Sequence, residues 1–402
     1  MRNHVFLKAL SVIVMVIALF VGVHNKPVEA APSNYKFDFG DGEVEKGYIG
    51  VRATDGYDED KRYGFQTPEN MVNVPASGTG AASDAVQFKE FGTKSSNTFN
   101  VDLPDGLYEV KVTLGDTQRA SVAAEGVYQI INMTGNNAVD SFEIPITDGQ
   151  LNLLVTEGKV GTNFTLSALE IKKLSRHPET KRTIYIGGDS TVANYYPLES
   201  SFQAGWGQLL SKFVNPDAFE VRNMASGGQI ARGFRNDGQL ESILKYIKPG
   251  DYFLLEMGIN DTAPKNSTTE AEFKEIMRDM VRQVKDKGAI VVLVTPEGRA
   301  NHFDSEGVHS SINHWYRHST VALAQEENVP LVDLNVLSSQ YFTSIGPEAT
   351  GLLFMYNIND TLHPNRDGAT ELARIIVEEL KRQGLDGFTD DKWHPGHSPI
   401  HH

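Results

Sequence analysis

The apolar run Ile184-Tyr185-Ile186 leads straight into Gly187-Gly188-Asp189-Ser190-Thr191. Ser190 has two readings there. It is a cap after a tight turn, because a serine hydroxyl accepts a free backbone N–H, or it is a nucleophile at a strand end. A serine hydroxyl attacks poorly until a base takes its proton. A base is available in Asp360-Thr361-Leu362-His363-Pro364. His363 can take that proton if Asp360, three residues earlier, holds the other ring nitrogen and fixes the tautomer. Acyl transfer also passes through an oxyanion, which needs donors set in advance. The N–H of Ser190, the N–H of Gly228 in Asn223-Met224-Ala225-Ser226-Gly227-Gly228 and the side-chain amide of Asn260 in Gly258-Ile259-Asn260-Asp261 are three such donors. Gly228 suits the task because, without a Cβ, its backbone can approach a substrate closely. Singly, each stretch has a plainer meaning: a turn, a helix cap, a solvated loop. Together they compose one hydrolytic site, with Ser190, His363 and Asp360 as its triad and Ser190, Gly228 and Asn260 as its oxyanion hole.

Other residues compete for parts of this site. His309 lies three residues after Glu306 and imitates the Asp-His pair, but its segment "FDSEGVHSS" reads as a solvated loop before the fifth strand. It is expected to line the pocket rather than act as base. Trp206, Gln229 and Asp261 are further candidates for substrate contact. The tail "HPGHSPIHH" offers imidazoles that suit zinc or nickel, yet it reads as an incidental tail. No histidine and carboxylate set elsewhere has metal-site spacing. The chemistry requires no cofactor and no metal. Asn132-Met133-Thr134 and Asn163-Phe164-Thr165 match the glycosylation sequon, which carries no weight in a bacterial product.

The elements that must position these groups follow from periodicity. From Tyr35 to about Ser175 apolar residues alternate with polar ones and are broken by Gly and Asp. In "NTFNVDLPDGLYEVKVTLGD", two alternating runs flank Pro104-Asp105-Gly106, a hairpin signal. Residues 31–175 are therefore expected to form an all-β sandwich. Tyr48, Tyr57 and Tyr63 there could stack on sugar rings, or be ordinary strand-end residues. Residues 176–181 read as a polar linker. From 182 to 386, five short apolar strands (184–186, 219–221, 252–256, 290–294, 331–332) alternate with helical stretches at 206–214, 240–246, 270–287, 313–327 and 371–383. That order predicts a three-layer α/β/α domain around a five-stranded parallel sheet, flavodoxin-like in class. Residues 387–402 are the histidine-containing tail. Sites in such sheets form beyond the carboxyl ends of the strands, where the candidate residues lie.

The rest of the composition sets the setting. Arg2, His4 and Lys8 precede an apolar run from Ala9 to Val23, and Val28-Glu29-Ala30 places small residues before Ala31-Pro32. Residues 1–30 therefore read as a signal peptide, and the protein as secreted and extracellular. The formal charge is -15, and loss of the leader makes it more negative. That argues against nucleic acid or an anionic membrane surface as partner. The chain has no cysteine, which excludes disulfides and thiolate chemistry and hints at a Gram-positive source. Nothing in the sequence speaks to oligomeric state.

The four motifs, in this order and spacing over residues 182–384, resemble the SGNH hydrolase superfamily of GDS-type esterases and lipases. Gly188-Asp189-Ser190-Thr191, Asn223 with Gly227-Gly228, Gly258-Ile259-Asn260-Asp261 and Asp360-Thr361-Leu362-His363 match its four blocks. Within it, Gly205-Trp206-Gly207, the run from Asn223 to Arg232 and Glu256 are most similar to rhamnogalacturonan acetylesterases. Gln229 departs from them, since many carry Arg directly after the second glycine. The resemblance implies hydrolysis of O-acetyl esters on an acetylated plant cell-wall polysaccharide such as pectin. The N-terminal half resembles the galactose-binding-like sandwiches that accompany polysaccharide enzymes, through "FDFGDG", "GYIGV" and "RYGF". Two alternatives keep different parts of this reading: an esterase or lipase on other acyl esters, or a non-catalytic cell-wall sugar-binding protein.

Overall fold

The computed structural model describes residues 32–90, 92–156, 164–177, 180–310 and 314–388. The expected leader, Asn163 of the second sequon and residues 389–402 of the tail lie outside the described residues.

The first half is two packed β-sheets. Strands Val139–Ile146, Gly106–Leu114, Phe164–Lys173, Asn34–Phe39 and Ile49–Val51 run side by side, and Asp84–Phe88 with Met71–Pro75 complete that sheet. The facing sheet has the order Tyr63–Phe65, Phe99–Asp102, Gln150–Thr156, Arg119–Ala124, Val127–Thr134. Alternation turns one face of each strand inward. Phe99 sits at the centre of an aromatic cluster, 5.1 Å from Phe37, 4.9 Å from Phe39 and 5.1 Å from Phe65 between ring centroids. The expected hairpin at Pro104-Asp105-Gly106 is a correction. Phe99–Asp102 and Gly106–Leu114 belong to different sheets, so the turn carries the chain across the sandwich. Turn residues report a reversal; they do not report which sheet the next strand joins. A two-residue hairpin lies at Glu125-Gly126, with φ of 56° and 76°. It joins Arg119–Ala124 to Val127–Thr134, as positive φ at both central positions favours.

The second half has a parallel sheet in the spatial order Phe219–Asn223, Arg182–Gly187, Tyr252–Glu256, Ile290–Val294, Leu331–Val332. In chain order this is 2-1-3-4-5, the flavodoxin-like winding. The strands are apolar on both faces because both are covered. Tyr185, Phe253, Leu255, Val291 and Leu293 pack under helices Ala231–Asn236, Gln239–Tyr246, Glu270–Asp286 and Arg317–Glu326. Ile184, Ile186, Leu254, Val292 and Val294 pack under Trp206–Leu209, Leu334–Gly351 and Arg366–Arg382. Two of these helices, Ala231–Asn236 and Leu334–Gly351, are absent from the sequence expectation. The second is interrupted at Gly346 (φ 82°) before Pro347, which masks its period. The helix expected over 206–214 is one α-turn followed by a 3-10 turn. The last helix starts at Arg366, capped by the Asn365 side chain, which accepts from Gly368 N at 3.0 Å. Phe388 stacks on Phe219 at 5.0 Å, so the packed chain runs past Asp386, the expected end of the domain, into the expected tail.

The two halves share one core. The apolar cluster that holds Phe99, Tyr128 and Ile131 continues without a break to Leu240, Ile243 and Phe253. Polar bonds stitch the same contact. Tyr128 N donates to Ser242 Oγ at 2.9 Å, and Arg222 Nη2 to Gln129 Oε1 at 2.6 Å. Tyr196 OH donates to Asp140 Oδ2 at 2.5 Å. A shared apolar core makes neither half free to unfold while the other stays intact. The described chain should therefore melt in one calorimetric transition. Two separated transitions, each with the enthalpy of one half, would contradict this account of the contact.

Candidate active site

Three loops leave the carboxyl end of the parallel sheet and converge. The first follows Arg182–Gly187. Asp189 is fully buried there, and its Oδ1 accepts from Thr191 N at 3.0 Å while its carbonyl accepts from Val192 N and Ala193 N. This closes a tight turn with Ser190 at its partly open tip. Tyr195 OH donates to the Ser190 carbonyl at 2.8 Å. Asn223 Nδ2 donates to Val192 O at 2.7 Å from the neighbouring strand end. Gly205 lies beneath the loop: a Cβ there would stand 2.2 Å from the Val192 carbonyl carbon.

The histidine arrives from the other end of the chain. The short strand Asp360–Pro364 pairs with Phe354–Met355, and Asn365 Nδ2 donates to Leu352 O and Phe354 O at 2.7 and 3.1 Å. His363 is thus pinned just before the cap of the last helix. Its Nε2 lies 2.9 Å from Ser190 Oγ and its Nδ1 lies 2.6 Å from Asp360 Oδ2. Asp360 Oδ1 accepts from Leu362 N and His363 N. Burial works against its charge, but the His363 bond and these two N–H groups outweigh it and hold the carboxyl below its ordinary value. The carboxylate can therefore fix the ring with Nδ1 protonated and leave Nε2 as an acceptor facing Ser190.

The third group of residues lies on the loops that follow Phe219–Asn223 and Tyr252–Glu256. Gly228 has φ +77°, and a Cβ built on it would meet nothing within 4 Å, so its backbone faces open space. The Cβ position of Gly227 is 4.0 Å from the Ser190 Cβ. Asn260 Nδ2 donates to Gln229 O at 3.1 Å. A primary amide carries two hydrogens, so that bond leaves the second for another acceptor.

The structure reassigns three expected substrate contacts. Trp206 is wholly buried, and its Nε1 donates to Glu256 Oε2 at 2.9 Å; it braces the floor of the site. Asp261 is buried, and its Oδ1 accepts from Ala231 N at 3.0 Å; it ties down the start of the helix that follows the glycine turn. His309 is 4% exposed, with Nδ1 2.9 Å from Ser339 Oγ and Nε2 2.6 Å from Arg299 O. Both its nitrogens are occupied and burial pushes its pKa down, so it is a packed core histidine. Gln229 is half-buried beside Asn260 and lines a cleft. Among the described residues, no group of three or more His, Cys, Asp or Glu side chains could hold a metal ion.

A doubly wound α/β layer that brings a serine, a histidine and a carboxylate into one hydrogen-bonded line at its strand ends defines a hydrolase. Residues 187–370 match the GDSL-like lipase/acylhydrolase family, and residues 35–172 match the β-agarase/YXIM esterase-like, galactose-binding domain-like family. A protein named uncharacterized esterase YxiM, from Bacillus subtilis (strain 168), is 70% identical over 377 residues, covering 94% of this chain and 98% of that one. Rhamnogalacturonan acetylesterase RhgT from the same organism is 31% identical over 213 residues, covering 50% of this chain and 90% of that protein. The crystal structure of Bacillus subtilis YxiM is similar with a TM-score of 0.86 at 71% identity, over 88% of this chain and 99% of that one. The chain belongs to the GDSL-like lipase/acylhydrolase family and is an ester hydrolase.

Sequence reasoning missed what lies under the site. Glu297 follows the fourth parallel strand, just as Asp189 follows the first and Glu256 ends the third, so the strand-end rule could have found it. All three are fully buried. Glu256 accepts from Thr191 Oγ1 at 2.8 Å as well as from Trp206, whereas neither carboxyl oxygen of Glu297 has a partner among the described residues. Burial pushes Glu297 up to about 8 from an ordinary 4.5. Burial, reinforced by the neighbouring Glu297 and Asp189, raises Glu256 in the same direction. Between about 4.5 and about 8, the unfolded chain gives up a proton that folded Glu297 keeps. Its contribution to stability is therefore complete below that window and is lost as pH rises through it. The melting temperature should fall across this range, and Glu297→Gln, which has no proton to lose, should flatten the fall. An equally steep fall in the variant would show that Glu297 is not the group responsible.

Proposed function

We propose that the chain is a secreted carbohydrate esterase that removes O-acetyl groups from a plant cell-wall polysaccharide, with the rhamnogalacturonan backbone of pectin as its substrate. The reading rests above all on the line from Ser190 Oγ through His363 to Asp360, at 2.9 and 2.6 Å. Ser190 Oγ attacks the acetyl carbonyl carbon and His363 Nε2 takes its proton, while Asp360 stabilises the imidazolium. The carbonyl oxygen becomes an oxyanion held by the N–H groups of Ser190 and Gly228 and by the free hydrogen of the Asn260 amide. The intermediate collapses, the bond from carbonyl carbon to sugar oxygen breaks, and His363 gives its proton to that oxygen. Water then attacks the acetyl-serine with His363 again as base, releasing acetate and restoring the serine hydroxyl. Gln229 contributes to substrate contact beside the oxyanion donors.

The relatives support this choice of substrate. Two proteins named rhamnogalacturonan acetylesterase, one as probable, align with about half of the chain at 31% and 35% identity. The N-terminal match to a galactose-binding domain-like family fits a glycan as partner. Among the described residues no helix is long and apolar enough to cross a membrane. Residues 1–30 act as the leader in this reading, and the exported protein should begin at Ala31 when its N-terminus is sequenced.

The mechanism and the substrate are tested separately. On p-nitrophenyl acetate, Ser190→Ala should lose turnover while keeping the wild-type melting temperature. Asn260→Ala should lower kcat by on the order of 10²–10³ with a small change in KM, because an oxyanion donor acts mainly in the transition state. Unchanged kcat with raised KM would make Asn260 a binding residue. His363→Ala should likewise lose turnover, because the group that takes the serine proton is gone, whereas folded His309→Ala should retain it. For the substrate, acetate release from acetylated rhamnogalacturonan should exceed release from acetylated xylan; the reverse order would overturn the pectin assignment.

A further inference from the structure

We propose that the seam between the β-sandwich and the hydrolase layer is a groove that binds the sugar residues flanking the acetylated one, so that the N-terminal half forms one wall of the substrate site. This rests on the polysaccharide reading above and adds to it where the chain of the substrate lies.

A cavity of about 580 Å³ opens at Gly227 and Gly228. Its walls come from both halves: Ser121, Tyr128 and Asn132 on the sandwich side, Ser226, Gln229 and Gln239 on the other. Since the Gly227 Cβ position is 4.0 Å from the Ser190 Cβ, this cavity begins beside the nucleophile. A second cavity of about 760 Å³ shares Tyr128 and Asp237 with the first and extends past Thr93, Ser95 and Asn236. The two make one track that leads away from Ser190 along the seam. Its lining combines amides and hydroxyls with one tyrosine and the charged Arg119, Lys89, Glu90, Lys94, Asp237 and Glu241, which together supply the donors, acceptors and apolar face that a polyhydroxylated ring requires. Gln229, Asn236 and Asp237 stand partly or fully exposed along it, while Ser121, Asn132, Ser226 and Gln239 are buried and bonded to one another or to backbone.

The wall is built rigidly. Asn132 is buried in the strand Val127–Thr134, yet has φ +54°, a conformation rare for a residue with a side chain but tolerated by asparagine. The partner strand shifts register at Ala120/Val122 and Val122/Ala123 to accommodate the local kink. In that conformation the Asn132 amide accepts from Arg119 Nε at 2.7 Å and donates across the seam to Ser226 Oγ. Ser226 N in turn donates to Gly188 O, and Gln229 N to Ser226 O, both at 3.1 Å. A direct chain of bonds therefore links the sandwich to the turn that carries Gly228. Strained backbone that is held in place by its surroundings is characteristic of binding sites.

The test blocks the track where its two parts join. Asp237 is exposed there, so Asp237→Trp can fill the groove without disturbing the core. The readout is kcat/KM on acetylated rhamnogalacturonan divided by kcat/KM on p-nitrophenyl acetate, together with titration of deacetylated rhamnogalacturonan oligosaccharides into Ser190→Ala with and without Asp237→Trp. The ratio should fall about tenfold or more, mainly through KM, and oligosaccharide binding should weaken in parallel. A wild-type protein that deacetylates the polymer, paired with a variant whose ratio and binding are unchanged, overturns the groove alone. A wild-type protein that turns over p-nitrophenyl acetate but releases acetate from no polymer overturns the polysaccharide reading, and the groove with it.

Discussion

The site depends on one hydrogen bond between residues 173 positions apart, Ser190 Oγ to His363 Nε2. A bond of that span is maintained only if both ends are held by structure that does not yield. On the serine side, the Asp189 turn, the Asn223 amide and the close approach of Gly205 fix the loop above the sheet. On the histidine side, the pairing of 360–364 with 354–355 and the Asn365 cap fix the strand before the last helix. Each anchor is a local device, and the parallel sheet brings them together. Its first and third strands meet at the switch of winding direction, where open α/β sheets leave a crevice. The nucleophile loop follows one of those strands and the Asn260 loop the other.

The same edge carries a cost. Asp189 in the serine turn, Glu256 and Glu297 stand at or just past the ends of three adjacent strands, all without solvent. Burying one ionised carboxylate is unfavourable, and burying three together is more so. Burial pushes Asp189 up to about 6 and Glu297 up to about 8, so Glu297 keeps its proton at neutral pH while the Asp189 carboxylate is held by the Thr191 N–H. Thr191 and Trp206 donate to Glu256 and thereby tie the loop to the floor. The rigidity that positions Ser190 is thus bought with buried acid groups, and the stability of the fold becomes sensitive to pH.

Much of this was legible in the sequence, for a physical reason. Acyl transfer demands few residue types, so short motifs after apolar runs singled out the serine, histidine and carboxylate that the fold brings into one hydrogen-bonded line. Strand and helix periods likewise revealed both halves and the five parallel strands. What was not legible depends on contacts distant in sequence. Pro104-Asp105-Gly106 looks like any hairpin turn, and only packing decides that the chain crosses to the other sheet. Trp206, Asp261 and His309 have the right types for binding, but their burial is set by helices that pack over them. Asn132 reads as part of a sequon inside an ordinary strand; its backbone kink and its reach to Ser226 exist only because the two halves meet.

The central claim is that Ser190 carries the acyl group between substrate and water. The most direct measurement is mass spectrometry of protein quenched in acid during turnover of p-nitrophenyl acetate, followed by peptide mapping. The account predicts the added mass of one acetyl group on the peptide that contains Ser190, appearing within the first turnovers and absent from Ser190→Ala. Acetylation mapped to another residue in the wild type, or persisting at full occupancy in Ser190→Ala, would contradict it.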